Sequence, residues 1–152
     1  MLISTLIREL KSQAIDPPES TVDTIKHEGT AAETDHVGVC FIATAEVIEK
    51  AKASGIGFLI THEPLYYDHF DRIREPHPVV YKKREAVEKA GITIWRYHDY
   101  MHRLPTDGIV EGILWKLNWK ATPIDRQIWE LSSPRSAADL SEDIRLRLHC
   151  GG

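Results

Sequence analysis

Three times in succession the chain writes a short apolar run, then a polar segment, then an amphipathic stretch, and this order limits the fold more than any other feature. Val37 to Ala43 is apolar at nearly every position, Thr44 follows as a helix N-cap, and Val47, Ile48 and Ala51 share one helical face closed by Gly55. Ile56 to Ile60 is the second such run. A polar and aromatic loop from Thr61 to Arg74 leads to Pro78, which opens a helix carrying Val79, Val80, Ala86, Val87 and Ala90 and ended by Gly91. Ile92 to Tyr97 is the third run, followed by a loop from His98 to Pro105 and the helical stripe Ile109, Ile113 and Leu117. A weaker strand over Thr122 to Leu131 precedes Ser136 and Asp139, a pair resembling a capping box ahead of Leu140, Ile144 and Leu148. Before all of these, Leu2, Leu6 and Leu10 mark a leading helix stopped by Asp16-Pro17-Pro18, and residues 19 to 36 read as an aperiodic polar loop.

Strands that are apolar on both faces need cover on both, and parallel pairing needs crossover helices. The expectation is an α/β fold, a mostly parallel sheet with helices on both faces, read as a single domain over 1–152. A chain of 152 residues buries enough surface for a core without disulfides or a structural metal. Any metal is therefore expected to be functional.

Charge and composition exclude several classes. Nineteen Lys plus Arg against 23 Asp plus Glu give a net charge of −4 with no long basic run, which disfavours nucleic acid as the main partner. No apolar stretch approaches membrane-spanning length and no leader pattern stands at the N-terminus, so no membrane role is expected. Cys40 and Cys150 form no ligand-like pair and read as filler in a reducing, cytoplasmic setting.

The chemistry gathers where an open α/β sheet binds ligands, beyond the carboxyl ends of its strands. Five of the eight histidines lie between 62 and 102. Thr61-His62-Glu63-Pro64 follows the second strand directly, and His98-Asp99-Tyr100-Met101-His102 follows the third. Adjacent parallel strands lie about 5 Å apart, so their exit loops can bring His62, Glu63, His98 and His102 around one point. Imidazole nitrogens with a carboxylate are a ligand set for Zn, Fe, Mn or Ni. His27, His36, His69 and His77 read as solvated loop residues. The stretch His98-Asp-x-x-His102 is not a zinc-protease helix, because a strand leads into it and Pro105 follows closely. The chain contains no glycine-rich phosphate loop, no GxSxG elbow and no Ser or Cys placed as an activated nucleophile.

At these motifs the sequence resembles the NIF-three-like family of dinuclear-metal proteins, often labelled as a second type of GTP cyclohydrolase I homologue. Thr44 to Ala51, Gly55 to Ile60 and Thr61-His62-Glu63-Pro64-Leu65 are similar to the family's helix, strand and His-His-Pro stretch, with Glu63 at the second histidine. Ile94 to His102 is similar to its later strand and His-x-x-x-Asp loop, with His102 where Asp is usual. Asp107-Gly108-Ile109 and Leu117-Asn118-Trp119 extend the likeness, which covers about residues 35 to 148. The resemblance implies metal ligands at His62, Glu63 and His102, with His98 as a ligand or the partner of one. It also implies one or two divalent ions per chain and a cytosolic, toroidal homohexamer.

The family's second lobe, whose Gly-His and Glu complete the two-metal site, has no counterpart here, and Leu148-His149-Cys150-Gly151-Gly152 looks like its beginning cut short. Two functions follow as expectations. One is a metal-dependent hydrolase acting on a nucleotide or other small molecule through metal-activated water, with Asp99 orienting a histidine or accepting the water proton. The other is a non-catalytic metal-binding or regulatory protein acting as an oligomer; an inactive truncated lobe is a third.

Overall fold

The computed structural model describes residues 1–73, 77–125 and 128–150. Arg74, expected to end the long loop, and the terminal Gly151-Gly152 lie outside them. The chain divides into two compact units, Met1–Tyr100 and Met101–Gly152.

The first unit holds α1 (Ile3–Ser12), β1 (Ile25–His27), β2 (Val37–Cys40), α2 (Ala45–Ala53), β3 (Phe58–Thr61), α3 (Pro78–Ala90) and β4 (Thr93–Arg96). Its sheet runs β1-β4-β3-β2, with β2, β3 and β4 parallel and β1 antiparallel to β4. The mostly parallel α/β expectation holds. The local signals act as read: the Thr44 hydroxyl accepts from the Val47 N–H at 3.2 Å, Pro78 opens α3, and Gly91 ends it at φ 66°.

The β2-α2-β3 and β3-α3-β4 crossovers place both helices on one sheet face. Ile48 and Ala51 of α2 and Val87 of α3 form a buried cluster there with Leu59 and Ile94. Strand alternation sends Thr93 and Trp95 to the other face, where they line a cleft of about 700 Å³ with Ile3, Ile7 and Lys11 of α1.

Three expectations about the strands are corrected. Residues 25–27, read as loop, form β1, because pairing with β4 rather than an apolar pattern holds them, with bonds on either side: the Arg96 N–H donates to the Thr24 carbonyl at 3.2 Å, and the Gly29 N–H to the Thr93 hydroxyl at 3.0 Å. All four residues of β3 and of β4 are buried, but β2 is an edge strand and Val39 is 75% exposed, so its apolar run is not covered on both faces. The weak fourth strand is instead a separate antiparallel pair, described next.

The second unit holds a 3-10 turn at Met101–Arg103, α4 (Gly108–Leu117), β5 (Ala121–Pro123), β6 (Trp129–Leu131) and α5 (Ala137–Arg147). Among the described residues β5 and β6 pair only with each other; Pro123 ends the first, and the Asp125 carboxylate accepts from the Ile128 N–H at 2.7 Å. Ser136 caps α5 as its spacing implied, accepting from the Asp139 N–H at 3.1 Å. Of the α4 stripe only Leu117 is fully buried, and Ile113 is 44% exposed. Asp143 receives the Trp119 indole, Arg135 and Arg147, which hold its carboxyl far below the usual carboxylate range.

Candidate metal centre

The register that pairs Thr61 with Arg96 brings the two strand exits side by side. His62, the first residue past β3, has its imidazole 4.6 Å from that of His98, centroid to centroid. Both ring orientations are fixed from behind. His62 is 6% exposed, and its Nδ1 lies 3.2 Å from the Tyr97 carbonyl, which can only accept. The His98 Nδ1 lies 2.9 Å from the Asp99 carboxylate. Donation from Nδ1 puts the lone pair of each neutral ring on Nε2, the usual arrangement behind metal-ligating histidines. Phe41, just past β2, stacks on His62 at 5.1 Å.

The donor set fits a divalent ion. Two imidazoles sharing an ion at a metal–nitrogen distance of about 2.0–2.1 Å have ring centroids roughly 4.5–6.4 Å apart, depending on the angle between them. The His62–His98 separation falls inside that window.

The Asp99 carboxylate meets the His98 Nδ1 with one oxygen. Its second oxygen accepts from the Val22 N–H at 2.9 Å. Burial pushes its carboxyl up, but His98, Val22 and Thr21 together outweigh this and hold it below the ordinary aspartate value.

The strongest support of this loop was not singled out in the sequence. Asp23 is 1% exposed, and its carboxylate accepts from three successive N–H groups, those of His98 (2.8 Å), Asp99 (2.9 Å) and Tyr100 (2.9 Å). Only its position within a polar, aperiodic stretch was visible, and a partner 75 residues away leaves no local pattern.

Arg96 is a second unanticipated support. Fully buried, it donates from Nε to the His62 carbonyl at 3.1 Å and from Nη1 to the His69 carbonyl at 2.5 Å. Glu63 is fixed through its main chain, its N–H donating to the Phe41 carbonyl at 2.8 Å and its carbonyl accepting from the Thr61 hydroxyl at 3.3 Å.

His102 belongs to the second unit, where its Nδ1 lies 2.6 Å from the Asp107 carboxylate. The same carboxylate caps α4, accepting from the N–H groups of Ile109 (2.9 Å) and Val110 (3.2 Å). Burial raises the Asp107 carboxyl, and His102 with the two N–H groups brings it below its ordinary value.

Two histidines read as solvated have other surroundings. His77 caps α3, its Nδ1 accepting from the Val79 N–H at 3.3 Å. His69 is exposed, yet its ring meets that of His98 edge-on at 5.9 Å. His27 lies on β1, and His36 is exposed just ahead of β2.

The profile of the Duf34/NIF3 (NGG1p interacting factor 3) family matches residues 25–151. No curated protein matches significantly. Among solved structures, the Staphylococcus aureus hypothetical protein SA1388 is similar, with a TM-score of 0.74 and 14% identity over 100% of this chain and 66% of its own. Reduced HcgD from Methanocaldococcus jannaschii has a TM-score of 0.65 and 20% identity over 96% of this chain and 60% of its own. TTHA1606 from Thermus thermophilus has a TM-score of 0.65 and 16% identity over 96% of this chain and 61% of its own. The chain thus spans about three fifths to two thirds of the length of these structures. At these identities the likeness concerns the fold.

Proposed function

Since the chain belongs to the Duf34/NIF3 (NGG1p interacting factor 3) family, we propose that it binds a divalent metal ion through His62 and His98, with Glu63 and His102 as the further donors that the sequence offers. The observation that carries this reading is the His62–His98 pair: two imidazoles within ligand-sharing distance, each with its Nδ1 proton held by a carbonyl or a carboxylate. His102 follows His98 by four residues and has the same kind of carboxylate behind it. A bound ion there supplies a Lewis acid that makes water a nucleophile source near neutral pH.

The chain's own residues divide the remaining work. Tyr97 and Asp99 set the tautomers of His62 and His98, and Asp107 sets that of His102. Phe41 covers one face of the His62 ring and keeps water from it. Asp99, with its carboxyl held below the ordinary value and both oxygens engaged, is suited to orienting His98 and is a weak proton acceptor at neutral pH.

The reading extends to hydrolysis of a nucleotide or other small molecule. It also extends to a cytoplasmic homohexamer of the kind the family likeness implies, for which exposed Val39, Phe41 and Ile42 offer apolar contact area. A screen of nucleotides and small phosphate esters with and without added Mn²⁺ or Zn²⁺ tests the enzymatic part. Metal-dependent turnover that His62→Ala abolishes supports hydrolysis, whereas stable metal binding without turnover supports a regulatory metal binder. Size-exclusion chromatography with light scattering tests the assembly.

A further inference from the structure

The loop between β3 and α3 carries a histidine to the same point, and its construction is unusual for an exposed loop. Tyr67 and Asp71 both adopt left-handed backbone, at φ 64° and 56°, without a glycine. Asp71 is anchored below by Lys26 at 3.0 Å, with both side chains about nine-tenths buried, and its Oδ1 accepts from the Tyr66 N–H at 2.8 Å. Between these fixed points the Arg96 guanidinium grips the His69 carbonyl with one nitrogen and the His62 carbonyl with another. One buried cation therefore sets the spacing of two histidine-bearing segments, and it lies two residues before the third histidine, His98.

The outcome is a His69 ring 5.9 Å from that of His98 and nearly perpendicular to it, at 80°. This separation also lies inside the roughly 4.5–6.4 Å window for two imidazoles that share an ion. We propose that His69 is an additional metal-binding residue of this chain, closing over the ion held by His62 and His98 with the loop of residues 66–72 as its mount. The ring is exposed, and Arg96 and Asp71 hold the backbone on which it is mounted. The proposal rests on the metal-binding reading above and adds a ligand that neither the motifs nor the family likeness identified.

The test uses Co²⁺ alone as probe, titrated into the full chain and followed by its visible d–d absorption, which reports ligand number and geometry. His69→Ala is expected to weaken Co²⁺ binding roughly 10–100-fold and to change the shape of the band, with the far-UV circular dichroism unchanged. His69→Asp, which restores a donor, is expected to recover affinity with a band unlike that of the unaltered chain. His36→Ala removes another exposed histidine at the opposite, amino end of the strands and is expected to change nothing. Equal affinity and an identical band in His69→Ala overturn the role of His69 while leaving the His62–His98 site standing. Absence of Co²⁺ binding by the unaltered chain overturns the metal reading and this proposal with it.

Discussion

Lys83 gives the sharpest energetic prediction. It lies on α3 with 1% of its surface exposed, and its Nζ has no hydrogen-bond partner, only the face of Tyr67 at 4.2 Å. Burial drives its pKa down from 10.5 to about 8 against the opposing pull of Asp71 and Cys40. That displacement corresponds to roughly 3 kcal/mol against the charged form, of which the cation–π contact offsets about 1 kcal/mol. Lys83→Met preserves chain length and removes the charge, so it should raise the unfolding free energy at pH 7 by about 2 kcal/mol. The sign of the pH dependence follows from linkage. Between about pH 8 and 10.5 the unfolded chain retains a proton that the folded one has released, so the natural chain gains stability as pH rises through this window. The Met variant lacks this gain, and its advantage should fade toward zero by about pH 10. Urea unfolding of both proteins at about pH 7, 8.5 and 10 measures this. A variant less stable at pH 7, or an advantage constant with pH, refutes the reasoning.

Asp23→Ala removes the acceptor of three part-buried N–H groups and should cost about 3–5 kcal/mol, read as a lowered thermal midpoint together with weakened metal binding. Gly29→Ala would put a Cβ 2.5–2.7 Å from backbone atoms of Thr93, Gly91 and Ile92, so about 3 kcal/mol or more of destabilisation is expected in the same measurement. Asp107→Asn keeps an acceptor for the N-terminus of α4 but loses the charge behind His102. Chemical unfolding should therefore change by less than about 0.5 kcal/mol, while Zn²⁺ affinity falls roughly 10–100-fold.

What could be read from the sequence was whatever local chemistry decides. Thr44, Pro78, Gly91 and Ser136 punctuate helices through atoms within a few residues of themselves, and their helices begin or end where expected. The fully buried strand β3 announced itself by an apolar run and β4 by β-branched and aromatic residues, and the rule for carboxyl edges pointed to the loops in which the His62 and His98 rings lie 4.6 Å apart.

Long-range pairing was not legible. Strand β1 is a three-residue segment, Ile25-Lys26-His27, whose state is settled by β4 some 70 residues later. The same holds for Asp23, whose three acceptor contacts all lie on the His98 loop. β2 carries the same kind of apolar run as β3, and only its place at the sheet edge leaves Val39 exposed. No local signal points to His69, because the left-handed residues that turn its loop are Tyr67 and Asp71, and no glycine marks them.

The central claim is that the paired strand exits hold a metal ion. Elemental analysis of the protein purified without chelator, beside a His62→Ala, His98→Ala double variant, tests it most directly. The account predicts about one or more equivalents of a divalent transition metal per chain, lost in the variant while the fold is retained. No bound metal in the unaltered chain after incubation with Zn²⁺, Mn²⁺, Fe²⁺ or Ni²⁺, or equal metal in both proteins, would contradict it.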